Sequence, residues 1–275
     1  MRGVSAVDWF RHLALSAGAL AMAAPFVTAM IIATHSSDQI FGASGALLPH
    51  DWSVIRNIDT ALKASPLLRF LLNGAIACTL ILICQISVMV PCAYALAKLS
   101  FRGRDTLFIL VLVALVIPPP VLAIPHYLIV SKLGLLDTFA GLAFPWMISA
   151  FGIFLMRQFF ARVPTEIIEA ARLDGLSETE ILLRIMVPIA LPAIGAFAIY
   201  SFVHHWNDLF WPSIVVKSET MATPPYGVML FQSEDASSDF GALMAGALLI
   251  CLPMIIAFLV ARRRFFSAMT LGMSR

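Results

Sequence analysis

LLRFLLNGAIACTLILICQISVMVPCAYALA, residues 67–97, carries a single charged side chain, Arg69. A bilayer core roughly 30 Å thick is crossed by about 20 mostly apolar helical residues, so this run is long enough to span it. Strands of a membrane barrel would alternate in polarity. This run is continuously apolar and rich in Leu, Ala and Ile, which favours a helix. Working outward, comparable runs occur at about 12–34, 106–130, 140–160, 189–213 and 241–261. The expected fold is all-α: a single polytopic domain over residues 1–275 with six transmembrane helices.

Composition agrees. Of 275 residues, 60% are hydrophobic and 12% charged, too apolar a chain to cover a soluble globule. A net charge of +2 is too small to point to nucleic acid. Ala21-Met22-Ala23 resembles a signal-peptide cleavage site, but the apolar run continues to Ala33, so a retained helix is expected. Cys78, Cys84, Cys92 and Cys251 all fall inside predicted spans without zinc or disulfide spacing, and read as small buried hydrophobes. With a cytoplasmic N-terminus, thirteen of the 18 Lys and Arg residues fall on the inner side. Only Arg56, Lys63, Arg69, Lys132 and Lys217 fall outside, so both termini are expected in the cytoplasm.

Between the first two spans, residues 35–66 form an external segment with room for a helical turn or two. Inside the third span, Ile117-Pro-Pro-Pro-Val121 removes three backbone donors and must kink or break the helix. Two readings of it stand: a border to a cavity or packed interface, or a merely kinked structural helix.

From Arg157 to Val187 the chain changes character, with nine charged residues in an amphipathic stretch between spans four and five. Pro164 and Thr165 suit a helix start, with Glu166 and Glu169 near the positive end of its dipole. Gly175 suits a left-handed cap. Ser177-Glu-Thr-Glu180 fits a capping box that opens a second helix, with Ile181, Leu182 and Ile185 as its apolar stripe and Pro188 as its expected stop. A helical hairpin of about 164–187 exposed beneath a membrane has the form of a docking element, because its apolar residues need cover. An amphipathic hairpin resting on anionic headgroups is the alternative, and the many carboxylates argue against it.

Here the sequence reads Glu169-Ala-Ala-Arg-Leu-Asp-Gly175, followed by Ile185-Met-Val-Pro188. It resembles the EAA signature of permease subunits of binding-protein-dependent ABC importers. Tyr94-Ala-Leu-Ala with Phe101-Arg-Gly-Arg, Phe154-Leu-Met-Arg-Gln-Phe-Phe160 and Trp206-Asn-Asp-Leu-Phe-Trp-Pro212 are similar to blocks of the carbohydrate and glycerol-3-phosphate branch, in its maltose-type second permease. Leu176 departs from the usual alanine after the glycine. The resemblance implies a type I importer permease fold in the bacterial cytoplasmic (inner) membrane. It implies a coupling helix formed by Glu169, Ala170, Ala171, Leu173, Asp174 and Gly175, seated on an ATP-binding subunit. The implied partners are a homologous second permease, two ATP-binding cassette subunits and an extracytoplasmic solute-binding protein, with membrane lipid around the spans. No cofactor is expected on this chain itself; ATP and Mg would be used by the partner subunits. The lysines agree, since none stands in a phosphate-binding G-x-x-x-x-G-K-[ST] loop.

Polar groups inside spans are costly in lipid and usually face a cavity, which makes Asn73, Gln85, His126, His204, His205, Asn207 and Asp208 candidates for the solute path, with Tyr127 beside them. Caps and interfacial anchors are the bland reading for the same residues. No catalytic or metal-binding set is expected. H-E-x-x-H and G-x-S-x-G are both absent, which leaves nothing to support an intramembrane enzyme. An ATP-independent channel or secondary transporter is the remaining alternative.

Overall fold

The structure, a computed structural model, describes residues 6–36, 39–40, 52–233 and 239–272. The expectations for Arg2, Arg275 and residues 41–51 lie outside them. Every regular element among the described residues is helical. In chain order these are α1 (Ala6–Thr34), α2 (Val54–Ala64), α3 (Leu67–Lys98), α4 (Arg104–Val116), α5 (Ala123–Lys132), α6 (Phe139–Ala143) and α7 (Ala150–Ala161). There follow α8 (Thr165–Leu173), α9 (Glu178–Ile181), α10 (Val187–Trp206), α11 (Phe210–Val215), α12 (Pro224–Ser233) and α13 (Phe240–Gly272).

Among the described residues, three helices are long and apolar enough to cross a membrane: Val7–Thr34, Leu67–Lys98 and Glu178–Trp206. Two bent pairs would raise this to five, and Phe240–Ile256 is a shorter apolar helix. The first bent pair breaks at the triple proline, where α4 and the Pro119–Lys132 segment meet at 98°. Pro119 and Pro120 lie in a 3₁₀ turn, Pro119–Leu122, which needs fewer of the donors that proline lacks. The run at 140–160 is also not one helix. Phe139–Trp146 and α7 meet at 51°, because Pro145 lies in a 3₁₀ turn and Ser149 caps a new helix by accepting from the Gly152 N–H at 3.0 Å. The run at 189–213 divides likewise. α10 ends at Trp206, and Asp208 Oδ1 accepts from the Trp211 N–H in the first turn of α11.

The described residues fall into two compact units, one within 1–68 and 227–252, the other within 69–226 and 253–275. In the first, α2 is an 11-residue amphipathic helix, more than the turn or two expected. Its buried Asn57 donates to the carbonyls of Ala33 and His35, both at 2.8 Å, and so satisfies acceptors at the end of α1.

In the second unit, one apolar core joins Met89, Val90, Ala93 and Tyr94 of α3 to Ile153, Met156 and Phe160 of α7 and to Ala190 and Phe197 of α10. Phe108 of α4 stacks on Phe154 of α7, and the Arg157 guanidinium sits 4.1 Å above the Phe108 ring. Gly152 lets these helices approach. A Cβ there would lie 2.8 Å from both Met89 Sδ and the Phe197 ring. Gly152→Val therefore overpacks the core and costs ~1–3 kcal/mol, read as a lower melting temperature of the purified protein. A second core collects Val130, Leu142, Trp211 and Val215, with Trp211 Nε1 donating to the Gly141 carbonyl at 3.0 Å.

Candidate functional site

The hairpin begins where Val163 leaves α7, its carbonyl accepting from Lys98 Nζ. Pro164, at φ −55°, sets the entry to α8 without needing a donor of its own. At the other end, the Leu176 N–H reaches the Ala171 carbonyl at 3.1 Å and the Gly175 N–H reaches Arg172 at 3.0 Å. These two bonds with Gly175 at φ +83° form a Schellman cap, in which the residue after the glycine normally makes an apolar contact back onto the helix. Leu176 packs against the core cluster that contains Ala171, a physical reason for a leucine at this position.

Ser177 and Glu180 then form the reciprocal capping box that starts α9. The helix does not stop at Pro188. A π-helical segment, Leu182–Met186, runs directly into α10, where Pro188 occupies the first turn. The wider turn relieves both the missing donor and the clash with the preceding carbonyls, so the chain continues.

Glu169, Ala170, Asp174 and Gly175 are exposed, and Leu173 is 89% exposed at the apex. Ala171 is not among them. With Ile168 it forms an i, i+3 pair on the inner face of α8, and both are buried in the core with Ile181. Ala171, expected on the docking surface, is thus packed within the chain's own core. The exposed face comprises Glu169, Ala170, Leu173 and Asp174.

Sequence reasoning passed over Glu178. One of its oxygens accepts from Arg172 Nε and the other from the Tyr94 hydroxyl of α3, both at 2.6 Å. No local pattern links residues so far apart in sequence.

The polar positions of the spans separate into several groups. Gln85, buried on α3, donates to the Trp146 carbonyl at 2.8 Å, accepts from Ser201 at 2.6 Å and lies 3.2 Å from His205 Nε2. His205 and His204 flank the Trp146 ring, at centroid distances of 5.3 and 6.2 Å, and His204 stacks parallel on Tyr200. Gln85, His204 and His205 are thus brought together. Asn73 stands apart, buried, its amide committed to the carbonyls of Thr220 and Ala222 at 2.9 Å each. Asn207 donates to the Val203 carbonyl at the end of α10, and Asp208 caps α11. His126 packs edge-on against Trp211. For these four the capping or packing contact is what the geometry displays. Ser201 and Trp146 were passed over in the sequence because a serine and a backbone carbonyl carry no signal there.

Another polar link joins two loops of the second unit. Asp137, at φ +60°, accepts from the Lys217 and Ser218 N–H groups at 2.9 and 3.0 Å through one oxygen. Burial pushes this carboxyl up, but those donors outweigh it and hold it below the usual carboxylate range. A depressed folded-state value means stability that is present above the ordinary carboxylate range and lost as pH falls through the lowered one. Asp137→Asn, which tolerates the same φ, should lower the melting temperature at neutral pH, with the gap to wild type closing on acidification.

A chain of apolar helices carrying a soluble-type helical hairpin between two of them is a polytopic α-helical membrane protein. Residues 89–269 match the family described as binding-protein-dependent transport system inner membrane component. The sn-glycerol-3-phosphate transport system permease protein UgpE of Pectobacterium atrosepticum is 30% identical over 265 residues, 94% of each chain. The arabinooligosaccharides transport system permease protein AraQ of Bacillus subtilis is 35% identical over 179 residues, 65% of this chain and 63% of that one. A solved structure, that of a bacterial ABC transporter involved in import of the acidic polysaccharide alginate, shares the fold. Its TM-score is 0.81 at 23% identity, over 96% of this chain and 98% of that one. The chain belongs to the family of inner membrane components of binding-protein-dependent transport systems, the permease subunits of ABC importers.

Proposed function

We propose that this permease forms half of the translocation path for a sugar, a sugar derivative or glycerol 3-phosphate, and that the 164–187 hairpin couples it to a separate ATPase. The observation that carries the reading is the apex of the hairpin. Ile168, Ala171 and Ile181 bury its inner side in the chain's own core, yet Leu173 is left 89% exposed between the exposed carboxylates Glu169 and Asp174. An apolar knob ringed by charge is suited to a cleft in another polypeptide. Glu169, Ala170, Leu173, Asp174 and Gly175 form the coupling surface, with Ala171 holding it from behind.

On this reading the chain is one six-span permease domain with both termini in the cytoplasm, and it performs no catalysis. ATP and Mg are handled by two ATP-binding cassette subunits. A second, homologous permease completes the path, and an extracytoplasmic binding protein delivers the solute. The relatives that carry glycerol 3-phosphate and arabinooligosaccharides support the solute class. Within the spans, His204 has the surroundings for a solute, exposed and flanked by Tyr200 and Trp146, whose rings suit stacking on a sugar face. Gln85 and His205 shape that site from behind.

Affinity purification of the tagged chain from native membranes checks the reading. An ATP-binding subunit and a second permease are expected to accompany it. Solute flux through vesicles containing this chain alone, without ATP, would instead favour the channel or secondary-transporter reading.

A further inference from the structure

We propose that Glu178 is a positioning residue that fastens the hairpin to α3, so that the two move as one body when the partner ATPase moves the hairpin. The inference rests on the coupling reading above and names the helix that receives the motion. One carboxylate bridges three elements, because Arg172 lies near the end of α8, Glu178 begins α9 and Tyr94 belongs to α3. Tyr94 is buried beneath this pair, and charge-assisted bonds of this length resist relative sliding. One helical turn beyond Tyr94, Lys98 donates to the Val163 carbonyl at the entrance of the hairpin. The same end of α3 therefore grips the hairpin at both its entrance and its turn. Ile168, Ala171 and Ile181 share a core with Val90, Ala93 and Tyr94, which closes the contact between the two grips.

The connection to α10 is of a different kind. It runs through the π-helical Leu182–Met186, a non-standard turn of the sort at which helices bend. Motion of the apex is then delivered to α3 rigidly, while rotation against α10 is taken up in the π turn.

Tyr94→Phe is the discriminating variant. It removes one hydroxyl, leaves the Arg172–Glu178 pair within the hairpin, and keeps the ring that packs edge-on against Phe160 at 6.3 Å. Spin labels on Cys92 of α3, with Cys78, Cys84 and Cys251 replaced by alanine, and on Thr165→Cys of α8 report the α3–hairpin distance in the purified complex with its ATPase. In the Tyr94-containing protein the distance distribution is expected to be narrow and the same without nucleotide and after trapping with ADP and vanadate. In Tyr94→Phe, and more strongly in Glu178→Ala, it is expected to broaden and to differ between the two states. A distribution that shifts with nucleotide in the Tyr94-containing protein, or that stays unchanged in both variants, overturns the fastening. Cross-linking of Leu173→Cys to the ATPase, run in parallel, reports docking independently. Its failure overturns the coupling reading and this inference with it, whereas intact cross-linking with unchanged distances in the variants overturns the fastening alone.

Discussion

Gly175→Val should reach the membrane at normal abundance and reduce ATP-driven solute uptake by about tenfold or more, the equivalent of at least ~1.4 kcal/mol in the coupling step. Within this chain the reason is conformational, since beyond its chain neighbours nothing lies within 4 Å of where a Cβ would stand. The position holds φ +83°, which costs an L-residue ~1–2 kcal/mol and a β-branched one more. A valine relieves this by moving φ to negative values. The Schellman bonds from Gly175 to Arg172 and from Leu176 to Ala171 then open, and α8 turns relative to α9. A cost of this size is too small to unfold a domain with an intact core, so insertion survives while the exposed face is displaced. Gly175→Asn, which tolerates the left-handed region, should retain most of the uptake. Equal uptake by the valine variant and wild type, at equal abundance in the membrane, would show that the geometry of this turn is irrelevant to transport.

The second large effect falls on stability. Gln85→Leu strands the Trp146 carbonyl and the Ser201 hydroxyl, both of which depend on that amide, and removes the polar neighbour of His205. A buried group left without a partner, as the Ser201 hydroxyl would be, costs ~1–3 kcal/mol and the half-buried Trp146 carbonyl less, so a total of ~2–4 kcal/mol is expected. Thermal unfolding of the detergent-purified protein should show a clear drop in melting temperature. Ser201→Ala alone should cost much less, because Gln85 keeps its bond to Trp146. The two substitutions together should cost less than the sum of the separate losses, since they break the same bond. A melting temperature unchanged by Gln85→Leu would mean that the network contributes nothing.

Much of this was legible in the sequence because a bilayer demands long apolar helices and a soluble hairpin demands caps. The triple proline at 118–120, the glycine at 175 and the capping box at 177–180 each act through backbone donors and φ, which are local properties. Where the structure adds to or departs from the sequence pattern, the cause is competition with non-local structure. Pro188 carries the usual sign of a helix stop, but a π turn upstream absorbs it. Pro145 and Ser149, and the Asn207–Asp208 pair, divide apolar runs that hydropathy alone reads as continuous. Ala171 belongs to the family signature and so was placed on the docking surface. Its i, i+3 relation to Ile168 was the available sign that it faces inward. Tyr94 with Glu178, and Gln85 with Ser201, are paired only by tertiary packing, across separations that no periodicity bridges.

The central claim, that the hairpin apex seats in a nucleotide-hydrolysing subunit, is tested most directly by a single cysteine at Leu173, in a chain whose native cysteines have been replaced. A short bifunctional reagent added to native membranes should join this chain to an ATP-binding subunit, with a yield that changes on adding ATP. A cysteine that reacts freely with small probes and yet never joins that subunit, with or without nucleotide, would contradict the account.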